Sequence, residues 1–174
     1  MKLENTEQMT HYQCNMASMI LLGKWLDYLR ENDLYDNTRI IIVSDHGRSI
    51  GLYHVIMNGI DAGYQLQDGA KEDVMYYNPL LMVKDFNSKD FAVDNTFMTN
   101  ADVPTLAFSD VIQDPVNPFT GKRINSDMKN NEEQYAMYTD WRIEENNGNT
   151  YSDPVRLVLR NHYLFDPANW IVEE

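Results

Sequence analysis

Apolar residues recur at spacings of one to four positions near the start of the chain, at Tyr12, Met16, Met19, Ile20, Leu22, Leu26 and Leu29. Gln8, Gln13, Lys24, Asp27 and Arg30 fall between them, and this periodicity predicts an amphipathic helix from about Glu7 to Asn32. Asp33 to Thr38 reads as a loop, because Asp and Asn side chains satisfy nearby backbone groups and stop a helix. Arg39-Ile-Ile-Ile-Val-Ser44 follows, with four consecutive β-branched residues and no polar alternation. That pattern predicts a strand covered on both faces.

Arg48 to Glu72 reads as irregular, with glycines at 51, 59, 63 and 69, and loops of that length in compact domains usually serve function. Pro79 to Lys84 is a second strand, with its proline where a strand tolerates one. Asp102 to Ile112 reads as a short helix, capped by Asp102 and with Pro104 in its first turn. Tyr135 to Ile143 and Val155 to Leu159 read as two strands joined across the turn-rich Asn146 to Asn149. Helix, short loop and buried strand together indicate an α/β layer fold. The expected organisation is an α/β region over residues 1–125 and an antiparallel strand unit or partly mobile tail over 126–174.

Composition narrows the classes. Apolar residues at 43% rule out a wholly disordered chain. A net charge of −13 opposes nucleic acid and anionic lipid surfaces. It leaves room for an anionic substrate, since one bound cation inverts the field locally. The single cysteine, Cys14, excludes an internal disulfide and a cysteine metal cluster, and its helical neighbours predict a core thiol. No apolar run reaches membrane-spanning length, and Met1 to Thr10 lacks the pattern of a signal peptide. The early start of the helix, with no strand before it, suggests a piece of something larger.

The chemistry-bearing segment is Ser44-Asp-His-Gly47, at the carboxyl end of the first strand, where open parallel sheets bind ligands. Asp45 supplies a hard anionic oxygen and His46 an imidazole nitrogen. The pair suits Zn or Mn, and Ca less well. Adjacent strand side chains point to opposite faces, so both reach one ion only where the strand breaks, and Gly47 offers that break. The alternative is a plain turn, in which Asp45 accepts backbone N–H groups and His46 packs on a helix end.

The run from Leu34 to Gly47, Leu-Tyr-Asp-Asn-Thr-Arg-Ile-Ile-Ile-Val-Ser-Asp-His-Gly, resembles a segment of the alkaline phosphatase superfamily. That superfamily includes sulfatases, phosphoglycerol transferases of the lipoteichoic-acid synthase type, and phosphoethanolamine transferases. Gly23 to Arg30 is similar to the helix that precedes this loop in such proteins. Tyr77 to Val83 is similar to a following strand, and Asn100-Ala-Asp-Val-Pro-Thr-Leu106 to a helix start. The resemblance implies a partial three-layer sandwich with a mostly parallel sheet. It implies metal ligation by Asp45 and His46 with a divalent Ca, Mn or Zn, and a sulfate- or phosphate-ester hydrolase or transferase. Lys71 is similar to a lysine that contacts the substrate's sulfate in sulfatases, with a solvated lysine as the alternative. Arg48 is a candidate to meet an anionic group or to pair with a surface acid, and His54 to approach from the loop or lie at the surface.

The chain departs from the family at the nucleophile, since neither a C/S-x-P-S-R motif nor a matching Thr is present, and Cys14 lacks the required neighbours. The expectation is the C-terminal portion of such a domain, from a parent that is extracytoplasmic or anchored through a missing N-terminal part. Expected partners are a sulfated or phosphorylated small molecule, glycan or lipid head group. A non-catalytic binding module and a self-associating fragment remain open alternatives.

Overall fold

The computed structural model describes residues 3–48, 63–65, 71–130, 133–138 and 154–173. Helix and strand both contribute, as an α/β chain requires. The chain divides into two compact units, Met1–Ala62 with Pro79–Asn95, and Gly63–Asn78 with Thr96–Glu174. The sequence-based boundary between 125 and 126 falls inside the second unit.

In the first unit, α1 spans Thr6–Glu31. Asn5 starts it, its side chain accepting the Gln8 amide at 2.9 Å, which satisfies one of the orphan donors of a helix start. Asn32 and Asp33 stop it. The Asn32 side-chain amide donates to the Tyr28 carbonyl at 2.8 Å, and Asp33 turns the chain at φ 56°, a left-handed angle that aspartate tolerates. The apolar face predicted for α1 is largely uncovered among the described residues. Leu29 is buried and Leu22 and Leu26 are half-buried, whereas Tyr12, Met16, Met19 and Ile20 are exposed. Cys14 is exposed as well, which corrects the expectation of a core thiol.

Strand β1, Ile40–Val43, pairs antiparallel with β4, Leu81–Lys84, in the register Ile40↔Lys84 to Val43↔Leu81. Arg39 anchors the entry to β1. Its side chain is 8% exposed, pairs with Asp85 at 2.8 Å and lies over the Phe86 ring at 4.8 Å. The β1 side chains are half-buried and Val43 is exposed, so the two-face coverage read from the β-branched run is not reached. Its one paired neighbour among the described residues is β4, and a strand gains full cover only from flanking layers.

The second unit holds two short strands, β2 (Gly63–Gln65) and β3 (Lys71–Asp73), paired antiparallel within the stretch read as irregular. It also holds α2, Val103–Phe108, which is shorter than the helix expected to reach Ile112. A three-stranded antiparallel sheet completes it, in the order β5 (Glu133–Tyr138), β6 (Val155–Arg160), β7 (Trp170–Glu173). The sequence reading anticipated β5 and β6 but not β7, and the Asn146–Asn149 turn lies outside the described residues.

Here β6 has the two-face burial expected of β1. Leu157, Val158 and Leu159 are all buried, flanked by a strand on each side. Burying each such side chain stabilises by about 1.5–3 kcal/mol. Trp170 closes the core, its indole N–H donating to the Leu164 carbonyl at 2.7 Å and its ring meeting Tyr77 at 5.2 Å.

All described strand pairs are antiparallel, so the mostly parallel sheet expected from the resemblance is not found among them. Parallel pairing needs a crossover that returns the chain in the same direction, and β4 returns beside β1 in the opposite one.

Candidate functional site

Ser44 fastens the end of β1 to the strand beside it. Its amide donates to the Leu80 carbonyl at 3.0 Å, and its hydroxyl accepts the Leu80 amide at 2.7 Å. The ladder therefore runs one residue past Val43, and Asp45 and His46 follow directly on a fixed strand end. This local order follows from sequence: a stiff β-branched run leads into a small hydroxyl residue that can bond to backbone.

Past that point the chain turns on itself. Asp45 Oδ1 accepts the His46 amide at 2.9 Å. His46 Nδ1 faces the Gly47 carbonyl oxygen at 2.6 Å, and a carbonyl oxygen only accepts, so Nδ1 carries the proton. In the neutral ring the lone pair then sits on Nε2, which lies 3.7 Å from Asp45 Oδ2. Backbone-held Nδ1 with Nε2 turned to a ligand position is the usual way proteins orient a metal-binding imidazole.

The spacing meets a simple test of fit. Zinc bonds to nitrogen and to oxygen at about 2.0–2.2 Å each, so two donors up to ~4.2 Å apart can share one ion. A separation of 3.7 Å is inside that reach. The Asp45 and His46 side chains are 88% and 58% exposed, so an ion can approach from solvent. Among the described residues no group of three or more His, Cys, Asp or Glu side chains is placed to hold a metal. Tight binding of such an ion takes about four donors, and this loop supplies two groups of ligand type.

Gly47 contributes its carbonyl rather than an unusual backbone angle. The described glycine with a left-handed φ is Gly121, at 68°. Nearby, Arg48 Nη2 pairs with Glu7 Oε1 at 3.1 Å, and Glu7 lies 3.9 Å from His11 Nε2. The first turn of α1 therefore reaches the loop that follows β1. Sequence reading did not single out Glu7 or His11, because a contact across 41 positions leaves no trace in local spacing.

Of the remaining candidates, Lys71 opens β3, with Gln65 as its register partner in the second unit. His54 lies outside the described residues. The structure therefore brings Asp45, His46 and Arg48 together on one loop of the first unit.

Comparison with protein-family models, with curated proteins and with solved structures finds no match for this chain.

Proposed function

We propose that this chain carries part of the metal site of a sulfatase-like hydrolase or transferase that acts on sulfate or phosphate esters. The observation that carries the reading is the 3.7 Å approach of Asp45 Oδ2 to His46 Nε2, with the imidazole turned by Gly47, directly past a β-branched strand. In the alternative, a plain turn, the Asp45 bond to the His46 amide closes the backbone and the Asp45–His46 approach is an ordinary ion pair. The order of segments from Tyr12 to Ile112, similar to the alkaline phosphatase superfamily, supports the same reading.

In this reading Asp45 and His46 hold a divalent Zn, Mn or Ca ion. A bound ion of this kind supplies charge stabilisation for the reacting ester oxygens. Arg48 offers its guanidinium to the equatorial oxygens of the sulfate or phosphate, exchanging Glu7 for the substrate anion. The nucleophile belongs to sequence outside this chain, which matches no nucleophile motif. The exposed apolar side chains of α1, together with Val43 and Val83, support further layers over this unit. That completes the reading as one part of a three-layer sandwich with a larger, mostly parallel sheet, where antiparallel edge strands are common. Substrates are then a sulfated or phosphorylated small molecule, glycan or lipid head group, and the parent is extracytoplasmic or membrane-anchored. No helix among the described residues is long and apolar enough to cross a membrane.

The test uses Mn²⁺, whose unpaired electrons broaden nearby amide resonances. Broadening at low Mn²⁺ should centre on residues 44–48 and disappear in the chain carrying Asp45→Asn and His46→Ala together. Broadening centred elsewhere, or unchanged in that variant, refutes the reading.

The same exposed residues favour a second reading, a non-catalytic module that associates with copies of itself. Sedimentation equilibrium separates the two, since a strict monomer at high concentration removes the second reading alone.

A further inference from the structure

The other end of the β1–β4 pair carries a hollow of about 660 Å³ open to solvent, lined by half-buried and exposed residues of the last turn of α1, the loop after it and the turn after β4. It has room for a small molecule lying at the surface. Its frame is tied at several points. The Asn87 amide donates to the Asp36 carbonyl at 2.9 Å, joining the two walls. The Lys84 ammonium donates to the Tyr35 and Thr38 carbonyls and lies 4.3 Å from the Tyr35 ring centre. The Arg30 guanidinium lies 4.3 Å from the same ring centre and pairs with Asp27.

Onto this frame project polar side chains without internal work. Among the described residues, the side chains of Asp33, Asp36, Asn37, Asn87 and Lys89 have no hydrogen-bond or ion-pair partner. Backbone hydrogen bonds hold Asp33, Asp36 and Asn87, and Asp33 and Asn87 sit at a left-handed φ of 56°.

The character of the lining selects the ligand. Arg30 and Lys89 are cations, and Asp33 and Asp36 are anions, so the formal charges cancel. A free anion would meet two carboxylates, and a free cation would meet an ammonium and a guanidinium. Asn37 and Asn87 each offer a donor and an acceptor. Hydroxyl groups do the same, so a ligand dense in hydroxyls and without charge matches every position. We propose that this hollow binds a neutral polyhydroxyl ligand of monosaccharide size, away from the Asp45–His46 end and independently of the metal reading. A hexose has about twelve heavy atoms, and ordinary binding efficiency per atom gives a dissociation constant on the order of millimolar.

The test is titration of the ¹⁵N-labelled full chain with glucose, and in separate arms with inorganic phosphate and with Ca²⁺. Glucose should produce saturable amide shifts confined to residues 33–37 and 87–89. Asp36→Ala combined with Lys89→Ala should weaken that binding at least tenfold, while Asp90→Ala leaves it unchanged. Should the double variant lose its amide dispersion, Asn37→Ala provides the same comparison with a threefold or greater loss expected. Absence of saturable shifts with glucose, binding of phosphate or Ca²⁺ in its place, or glucose binding indifferent to these substitutions overturns the proposal.

Discussion

Asp102→Ala removes a carboxylate that is 1% exposed and holds together the entry to α2. Asp102 Oδ2 accepts the Thr99 amide at 2.7 Å and lies 3.2 Å from the Thr99 hydroxyl, while Oδ1 stands 3.5 Å from the Lys129 ammonium. The side chain thus closes back on the 3-10 turn at Asn100–Asp102 and does not cap α2 itself. Alanine leaves the Thr99 N–H without an acceptor, a cost of about 1–3 kcal/mol, and strips Lys129 of its counter-charge. The expected loss is about 3 kcal/mol, reduced for the part of Lys129 that reaches solvent. Asp102→Asn keeps an oxygen for Thr99 and should cost roughly half as much.

The sign with pH is determined by the same geometry. Burial pushes the Asp102 carboxyl up, but hydrogen bonds from Ser126 and Thr99 and the Lys129 ammonium outweigh it and leave it below its ordinary 3.8. A carboxylate depressed in the folded state contributes stability that is complete above the unfolded value and lost as pH falls through the folded one. The wild-type advantage over Asp102→Asn should therefore hold at pH 7 and shrink below about pH 3.8. Urea unfolding at pH 7, 5, 4 and 3, followed by circular dichroism, measures it. An Asp102→Asn deficit that grows on acidification, or an Asp102→Ala cost under 0.5 kcal/mol, refutes the reasoning.

Two further outcomes follow from burial. Leu157→Ala, in the centre of the three-stranded sheet, should cost about 2–5 kcal/mol by urea unfolding, while Met137→Ala on its exposed face changes stability by less than about 0.5 kcal/mol. Cys14, exposed on α1, should react with a maleimide in the folded chain at a rate close to that in denaturant, and slow labelling released only by unfolding would show a covered thiol.

Much of the local structure was legible along the chain. Periodic apolar residues and a run of Asn and Asp place α1 and its end, because helix pattern and turn chemistry are local. The β-branched run places β1, and the Asp45–His46 pair stands out because two ligand-type residues adjoin a strand end. Tertiary structure alone decided which strand is buried. Ile40 to Val43 and Val155 to Leu159 are similarly apolar, yet only β6 has a paired strand on each side and full cover among the described residues. It also decided pairing direction, since hydrophobic pattern fixes which face turns inward but not which way a neighbouring strand runs. The Glu7–Arg48 pair and the approach of Lys129 to Asp102 depend on groups brought together from elsewhere in the chain, and spacing along a sequence carries no record of such approaches.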